Sequence, residues 1–245
     1  MVQLLDLEFA DLSVAEAAEL LARRPATAPF GYVTTPNADH LVRLHRRPEL
    51  RSLYQHAMLR LLDSRVVALA ARLVGLPAPR VAPGSDLTAL LLARYLMPGE
   101  RICIVGLSPR WLTALVARCG LAPPMHCDPP RGFELDPSAM RAAVEFVLTH
   151  PARFVFLAVG SPRQEMLAAA IQASGAATGV GLCIGASLEF IAGARSRAPR
   201  WMQRAALEWL HRLCSDPRRL ARRYLVESPS ILPMLLHERL EVLAK

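Results

Sequence analysis

The chain has 245 residues, 53% hydrophobic and only 20% charged, which suffices for one sizeable core with a small appendage and excludes a disordered chain. Its formal net charge is +8, and nine arginines between Arg195 and Arg223, opposed only by Glu208 and Asp216, account for +7 of it. No apolar run reaches the roughly 18 to 20 residues of a membrane-spanning helix; the nearest, 166–194, is interrupted by five glycines, Gln172 and Glu189.

The first residues include Asp6, Glu8 and Asp11 without a basic start or an apolar run, so the expectation is a chain with no secretory signal that stays in the cytoplasm. Five cysteines show neither CxxC spacing nor histidines at zinc-site intervals, which predicts reduced thiols and no structural zinc.

In chain order, Ser13 with Glu16 three residues on predicts a capped helix running to Leu21. Phe30–Thr34 is short, aromatic and β-branched, reads as a strand, and ends in the polar turn Thr35-Pro36-Asn37 before a helix through Leu41 and Leu44. Leu59–Leu62 predicts a second strand ending at Asp63, and Val66–Leu73 a helix stopped near Gly75-Leu76-Pro77. Gly84-Ser85-Asp86 opens a predicted helix over Leu87–Leu96, with Asp86 as its cap. Buried strands follow at Arg101–Val105, Phe154–Val159 and Gly181–Ile184. Strand signals stop near Ser196, and Pro199, Pro217, Pro229 and Pro233 divide the remainder into short helices, so the expected domains are an α/β core over 1–195 and a basic amphipathic appendage over 196–245.

This alternation predicts an α/β fold, a Rossmann-like, mostly parallel sheet with helices on both faces. Ligands of such sheets bind outside the carboxyl ends of the strands, where Thr35, Asn37, Asp63, Gly106 and Gln164 are expected to converge. Thr35 and Asn37 suit sugar hydroxyls or diphosphate oxygens but equally suit turn and cap chemistry, and Gln164 offers both donor and acceptor. Arg80 suits a phosphate, as a fork of donors, or is a solvated surface charge. Asp63 at a strand end is either a proton acceptor or the cap of the next helix. There is no Asp-x-Asp to hold a divalent cation against a diphosphate, and no GxGxxG after a strand.

Five blocks, Thr35-Pro36-Asn37-Ala38-Asp39-His40, Leu62-Asp63-Ser64, Pro79 to Leu87, Pro129 to Phe133 and Gly160-Ser161-Pro162-Arg163-Gln164-Glu165, occur in the order and near the spacing of the WecG/TagA/CpsF glycosyltransferases. Ala192-Gly193, Arg197 to Gln203, Leu207 to Leu213 and Asp216-Pro217-Arg218-Arg219 resemble that family's closing block, so the likeness covers almost the whole chain. The resemblance implies inverting transfer, without a metal or other cofactor, of an N-acetylmannosamine-type or related hexose from a UDP-sugar to a polyprenyl-diphosphate-linked saccharide. It implies this at the cytoplasmic face of the membrane, in cell-surface polysaccharide synthesis. It places the general base at Asp63, substrate contacts at Thr35, Asn37, Arg80, Asp86 and Gln164, and appendage arginines at Arg212, Arg219 and Arg222. The chain departs from it with Leu-Asp-Ser where many relatives have Pro-Asp-Gly, and with Glu189 where relatives often have aspartate.

In the tail, Trp201, Ala205, Trp209 and Leu213 recur every four residues while Arg197, Arg200 and Arg204 fall on another face, as an interfacial helix on an anionic membrane requires. The competing readings of this segment are a nucleic-acid-binding module, which would expose aromatics beside its arginines, and a homo-oligomer interface.

Overall fold

The computed structural model describes residues 1–244, and of these all side chains except that of Arg219. An antiparallel hairpin of β1 (Val2–Leu4) and β2 (Leu7–Phe9) comes first, turning at Leu5 and Asp6, both with positive φ. The main sheet contains β3 (Gly31–Thr34), β4 (Leu59–Arg60), β5 (Cys103–Val105), β6 (Met125–Cys127), β7 (Phe154–Leu157) and β8 (Val180–Cys183) in the order β4-β3-β8-β7-β5-β6. Every pairing in it is parallel. The fold is the expected α/β one.

Residues β3, β7 and β8 are buried throughout, as a parallel sheet covered on both faces demands. Their side chains alternate between two cores. Phe154 and Phe156 join Val33, Leu182 and Ile104 on one face, while Val155 and Leu157 join Tyr32, Cys183 and Val105 on the other. The helices Val14–Ala22 and Gly84–Leu90 cover the first face, and Pro137–Thr149 and Arg163–Ala173 the second. A third core joins the hairpin to the helices Ala38–Arg46 and Arg65–Leu73.

Several boundaries differ from the sequence expectation. The helix expected over Leu87–Leu96 begins at Gly84 and passes into a π turn at Leu91–Tyr95. Asp86 is therefore not its cap but lies within its first turn, where its carboxylate pairs with Arg197. The hairpin strands and the edge strand β6 alternate apolar and polar residues, but each is only three residues long, too short to stand out in sequence.

After the helix Ser187–Ala192 there are only helices and turns up to residue 244. The predicted stripe does not lie on one helix: Arg200–Arg204 and Glu208–Ser215 are separate, and Ala206 between them has φ +60°. Trp201 is 64% exposed and sits between exposed Arg200 and Arg204, so the aromatic and basic faces are not segregated. The last helix, Ile231–Leu243, returns to the body of the protein. Ile231 and Leu235 complete the third core beside Leu4, Leu7 and Phe9, and the Glu238 carboxylate accepts the Leu5 N–H at 3.0 Å. No helix among the described residues is long and apolar enough to cross a membrane.

Candidate active site

At the carboxyl ends of β3, β7 and β8 lies a crevice of about 850 Å³, roofed by the appendage. Its lining brings together Thr35, Asn37, Asp63, Gln164 and Arg212, which are far apart in sequence. This is the usual ligand position in an open parallel sheet.

Asp63 follows β4 and is held by its backbone, the N–H donating to the Pro36 carbonyl at 2.9 Å. Ser64, not Asp63, caps the helix Arg65–Leu73, its Oγ accepting the Val67 N–H at 3.2 Å. That leaves the Asp63 carboxylate for the crevice. Burial raises its pKa from an ordinary 3.8 to about 7, against the opposing pull of Arg212, with Glu208 adding to the rise and the Gly84 N–H and Arg197 opposing it.

Gly84 has to be glycine for steric reasons: a Cβ there would stand 2.7 Å from Thr35 Oγ1. The close approach seats the start of the helix Gly84–Leu90 against Thr35 and Asp63. Thr35 is itself buried, its hydroxyl near the Cys183 carbonyl at 3.4 Å. Asn37 caps the helix Ala38–Arg46 with its side-chain oxygen, accepting from the Asp39 and His40 N–H groups, which leaves its amide NH₂ for a ligand.

Gln164 is 2% exposed and fixed at both ends. Its Oε1 accepts the Gly185 N–H at 2.8 Å and its Nε2 donates to Glu165 Oε1 at 2.9 Å, leaving one N–H available. Burial raises the Glu165 pKa, so this carboxyl is a fixed anchor for Gln164 and not a solvated charge. Beneath it, Arg43 and the Tyr54 hydroxyl meet at Ser161 Oγ, at 2.7 and 3.1 Å.

The basic residues divide differently from the sequence expectation. Arg80 does not line the crevice: it is bound to Asp11 and Glu16 on the outer surface, its charge already engaged. Asp86 is also outside the lining, although its neighbour Ser85 is within it. Arg222 is 86% exposed and pairs with Glu227. The adjacent Arg223 turns inward instead, lining the crevice and contacting Asp39 at 3.1 Å. Arg212 pairs with Glu208 at 3.0 Å and lies over the Phe190 ring at 5.1 Å. The Arg219 side chain lies outside the described residues. Gly106 packs its bare Cα against Ala158, where a Cβ would come within 2.8 Å, and does not reach the crevice.

Arg163, Arg223, His40 and Asp39 line the crevice without having been singled out in sequence. All four sit inside or beside blocks already conspicuous, so the signal for them was the block and not the residue. Among the described residues Arg163 has no ion-pair partner, and it opens the helix Arg163–Ala173 at the crevice wall. Burial, then Arg43 and Arg223, hold the His40 pKa well below its ordinary value, so its imidazole is neutral near pH 7. Among the described residues no three His, Cys, Asp or Glu side chains group as metal ligands.

A family model described as glycosyl transferase, WecG/TagA/CpsF family, matches residues 2–245.

Proposed function

The chain belongs to the WecG/TagA/CpsF glycosyltransferase family and is a transferase of cell-surface polysaccharide synthesis; from that premise we propose that it moves a hexose, of N-acetylmannosamine type, from a UDP-sugar to a polyprenyl-diphosphate-linked saccharide with inversion. The observation that carries this reading is the placement of the Asp63 carboxylate, its pKa raised by burial, within a crevice that also holds arginines from both core and appendage.

Asp63 takes the proton from the acceptor hydroxyl as that oxygen attacks the anomeric carbon. A base with a pKa near the working pH combines a usable deprotonated fraction with driving force for the transfer. The glycosidic bond forms on the face opposite the departing UDP, and the bond between the anomeric carbon and the β-phosphate oxygen breaks. Charge then grows on the diphosphate, and guanidinium forks stabilise it as it develops. Arg163 suits this role because its charge is not spent on a carboxylate; Arg212 and Arg223, paired with Glu208 and Asp39, border the same space from the appendage. Thr35, the Asn37 amide and the remaining Gln164 N–H fix the sugar. No metal is assigned, since these arginines can neutralise the diphosphate.

Turnover on a panel of UDP-sugars with a short-chain polyprenyl-diphosphate saccharide tests the reading, with the anomeric configuration of the product read by NMR and the assay repeated in EDTA. Transfer with inversion that survives EDTA is expected. Retention of configuration, or loss in EDTA restored by Mg²⁺ or Mn²⁺, overturns the mechanism.

The appendage is further proposed to dock on an anionic membrane surface. Exposed Trp201 between exposed Arg200 and Arg204 meets the criterion given above for a nucleic-acid-binding face, so the membrane reading rests instead on the lipid-linked acceptor of the family and on the exposed apolar Leu225 and Val226 near exposed Arg218.

A further inference from the structure

A second cavity, of about 460 Å³, shares its inner end with the crevice. Asn37, Asp39, Asp63, Arg212, Arg223 and Tyr224 line both. Beyond them the chemistry changes. Val66 and Val81 form the wall on the core side, and Trp209, Leu225 and Leu232 the wall on the appendage side.

The walls favour an occupant that is apolar along most of its length; at the inner end it meets Arg212 and Arg223, which are paired with Glu208 and Asp39, so an anionic end group would have to take over those ion pairs. At the outer end, Leu232 is continued by Leu236 and Leu240, each four residues on along the last helix and 49%, 51% and 64% exposed. Leu232, Leu236 and Leu240 thus extend an exposed apolar stripe along the last helix from the outer end of the groove. A peptide could pair some of its backbone groups with Ser64, Arg65, Gln203 or Ser228, which also line the groove, but those facing Val66, Val81, Leu225 and Leu232 would stay unpaired, which is costly. Hydrocarbon carries no such penalty.

We propose that this groove holds the isoprenoid chain of the acceptor next to its diphosphate, with the diphosphate against Arg212 and Arg223 and the saccharide turned towards Asp63. The donor would then occupy the polar crevice and the acceptor lipid the apolar groove, the two meeting at the carboxylate they share. The identification of the amphiphile rests on the glycosyltransferase reading above; the groove's preference for hydrocarbon rests on its walls.

Dimethylallyl, geranyl and farnesyl diphosphate, kept below the concentrations at which they aggregate, serve as probes for calorimetry with the full chain. Affinity is expected to rise about tenfold or more on going from geranyl to farnesyl, because each added buried methylene favours binding. Leu232→Ser and Val66→Ser, both at partly exposed positions, should flatten that dependence and leave UDP affinity unchanged. Equal affinity for all three probes, or a chain-length dependence that persists in both variants, overturns the proposal. So does a flat dependence accompanied by self-association of the wild type that Leu232→Ser abolishes, which makes the face an interface between copies of this chain. If chain length matters but no sugar is transferred to any prenyl-diphosphate saccharide, the proposed reaction fails while the groove stands. If transfer proceeds but binding ignores chain length, the groove fails while the reaction stands.

Discussion

Asp63→Asn removes one proton acceptor and keeps the size and shape of the side chain. Transfer should fall by about 10² to 10⁴, the range for loss of a general base, with UDP affinity retained. Near-normal turnover in this variant excludes the role. The wild-type rate should climb with pH through about 7, as the carboxyl ionises. Stability should move the other way. Between about pH 4 and pH 7 the folded chain holds a proton on Asp63 that the unfolded chain has released, so stability falls as pH rises and the contribution is gone above 7. Asp63→Asn escapes this loss, so its melting temperature should exceed the wild type's at pH 8 and match it near pH 4. The difference is on the order of a few kcal/mol. Equal melting at pH 8 counts against a desolvated carboxyl. Arg80→Ala, by contrast, should leave donor affinity and rate unaltered and cost less than about 1 kcal/mol, since it breaks only exposed ion pairs.

At the scale of elements, the π turn Arg222–Glu227 decides which arginine faces the ligand. With a soluble acceptor, turnover should therefore fall in Arg223→Ala and stay at the wild-type level in Arg222→Ala; the opposite ranking would mean that the turn is differently wound in solution. Strand positions were readable from sequence because β3, β7 and β8 are short apolar runs bounded by glycine or turn residues. Asp63, Thr35, Asn37 and Gln164 could be gathered into one crevice by the rule that strand ends converge, while Gly106, expected with them, does not reach it and Arg212 was indicated only by the family resemblance. Arg80 and Arg222 could not be placed in this way. Their partners, Asp11 and Glu16 for one and Glu227 for the other, exert no periodic constraint on the sequence. Nor could the break at Ala206 be foreseen, because alanine is a strong helix former and its left-handed backbone is imposed by the surrounding packing.

For the molecule as a whole, the appendage is not a detachable tail. Leu235 is fully buried in the core it shares with the N-terminal hairpin, so Leu235→Ala should cost about 2 to 5 kcal/mol in chemical denaturation. A loss below 1 kcal/mol would show that the last helix docks only loosely. Removing residues 196–245 therefore confounds folding with membrane docking, and charge variants on the surface separate them better. Arg200→Glu with Arg204→Glu should weaken binding to anionic vesicles, an effect that fades as salt rises, with activity on a soluble acceptor preserved. If the wild type ignores such vesicles and binds RNA, docking on a bilayer is the wrong account of this surface.

The contact between Glu238 and the Leu5 N–H, with Ile231 and Leu235 against Leu4, Leu7 and Phe9, also imposes an order in time. A ribosome releases the hairpin before its cover, the two separated by more than two hundred residues of synthesis. Until the final helix emerges, Leu4, Leu7 and Phe9 lack part of their apolar packing, and Arg212 and Arg223 have no fixed roof from which to face Asp63. Activity therefore requires the helix Ile231–Leu243, and a message truncated before it should yield a polypeptide with most of its sheet and an exposed apolar face, a substrate for chaperones or proteases.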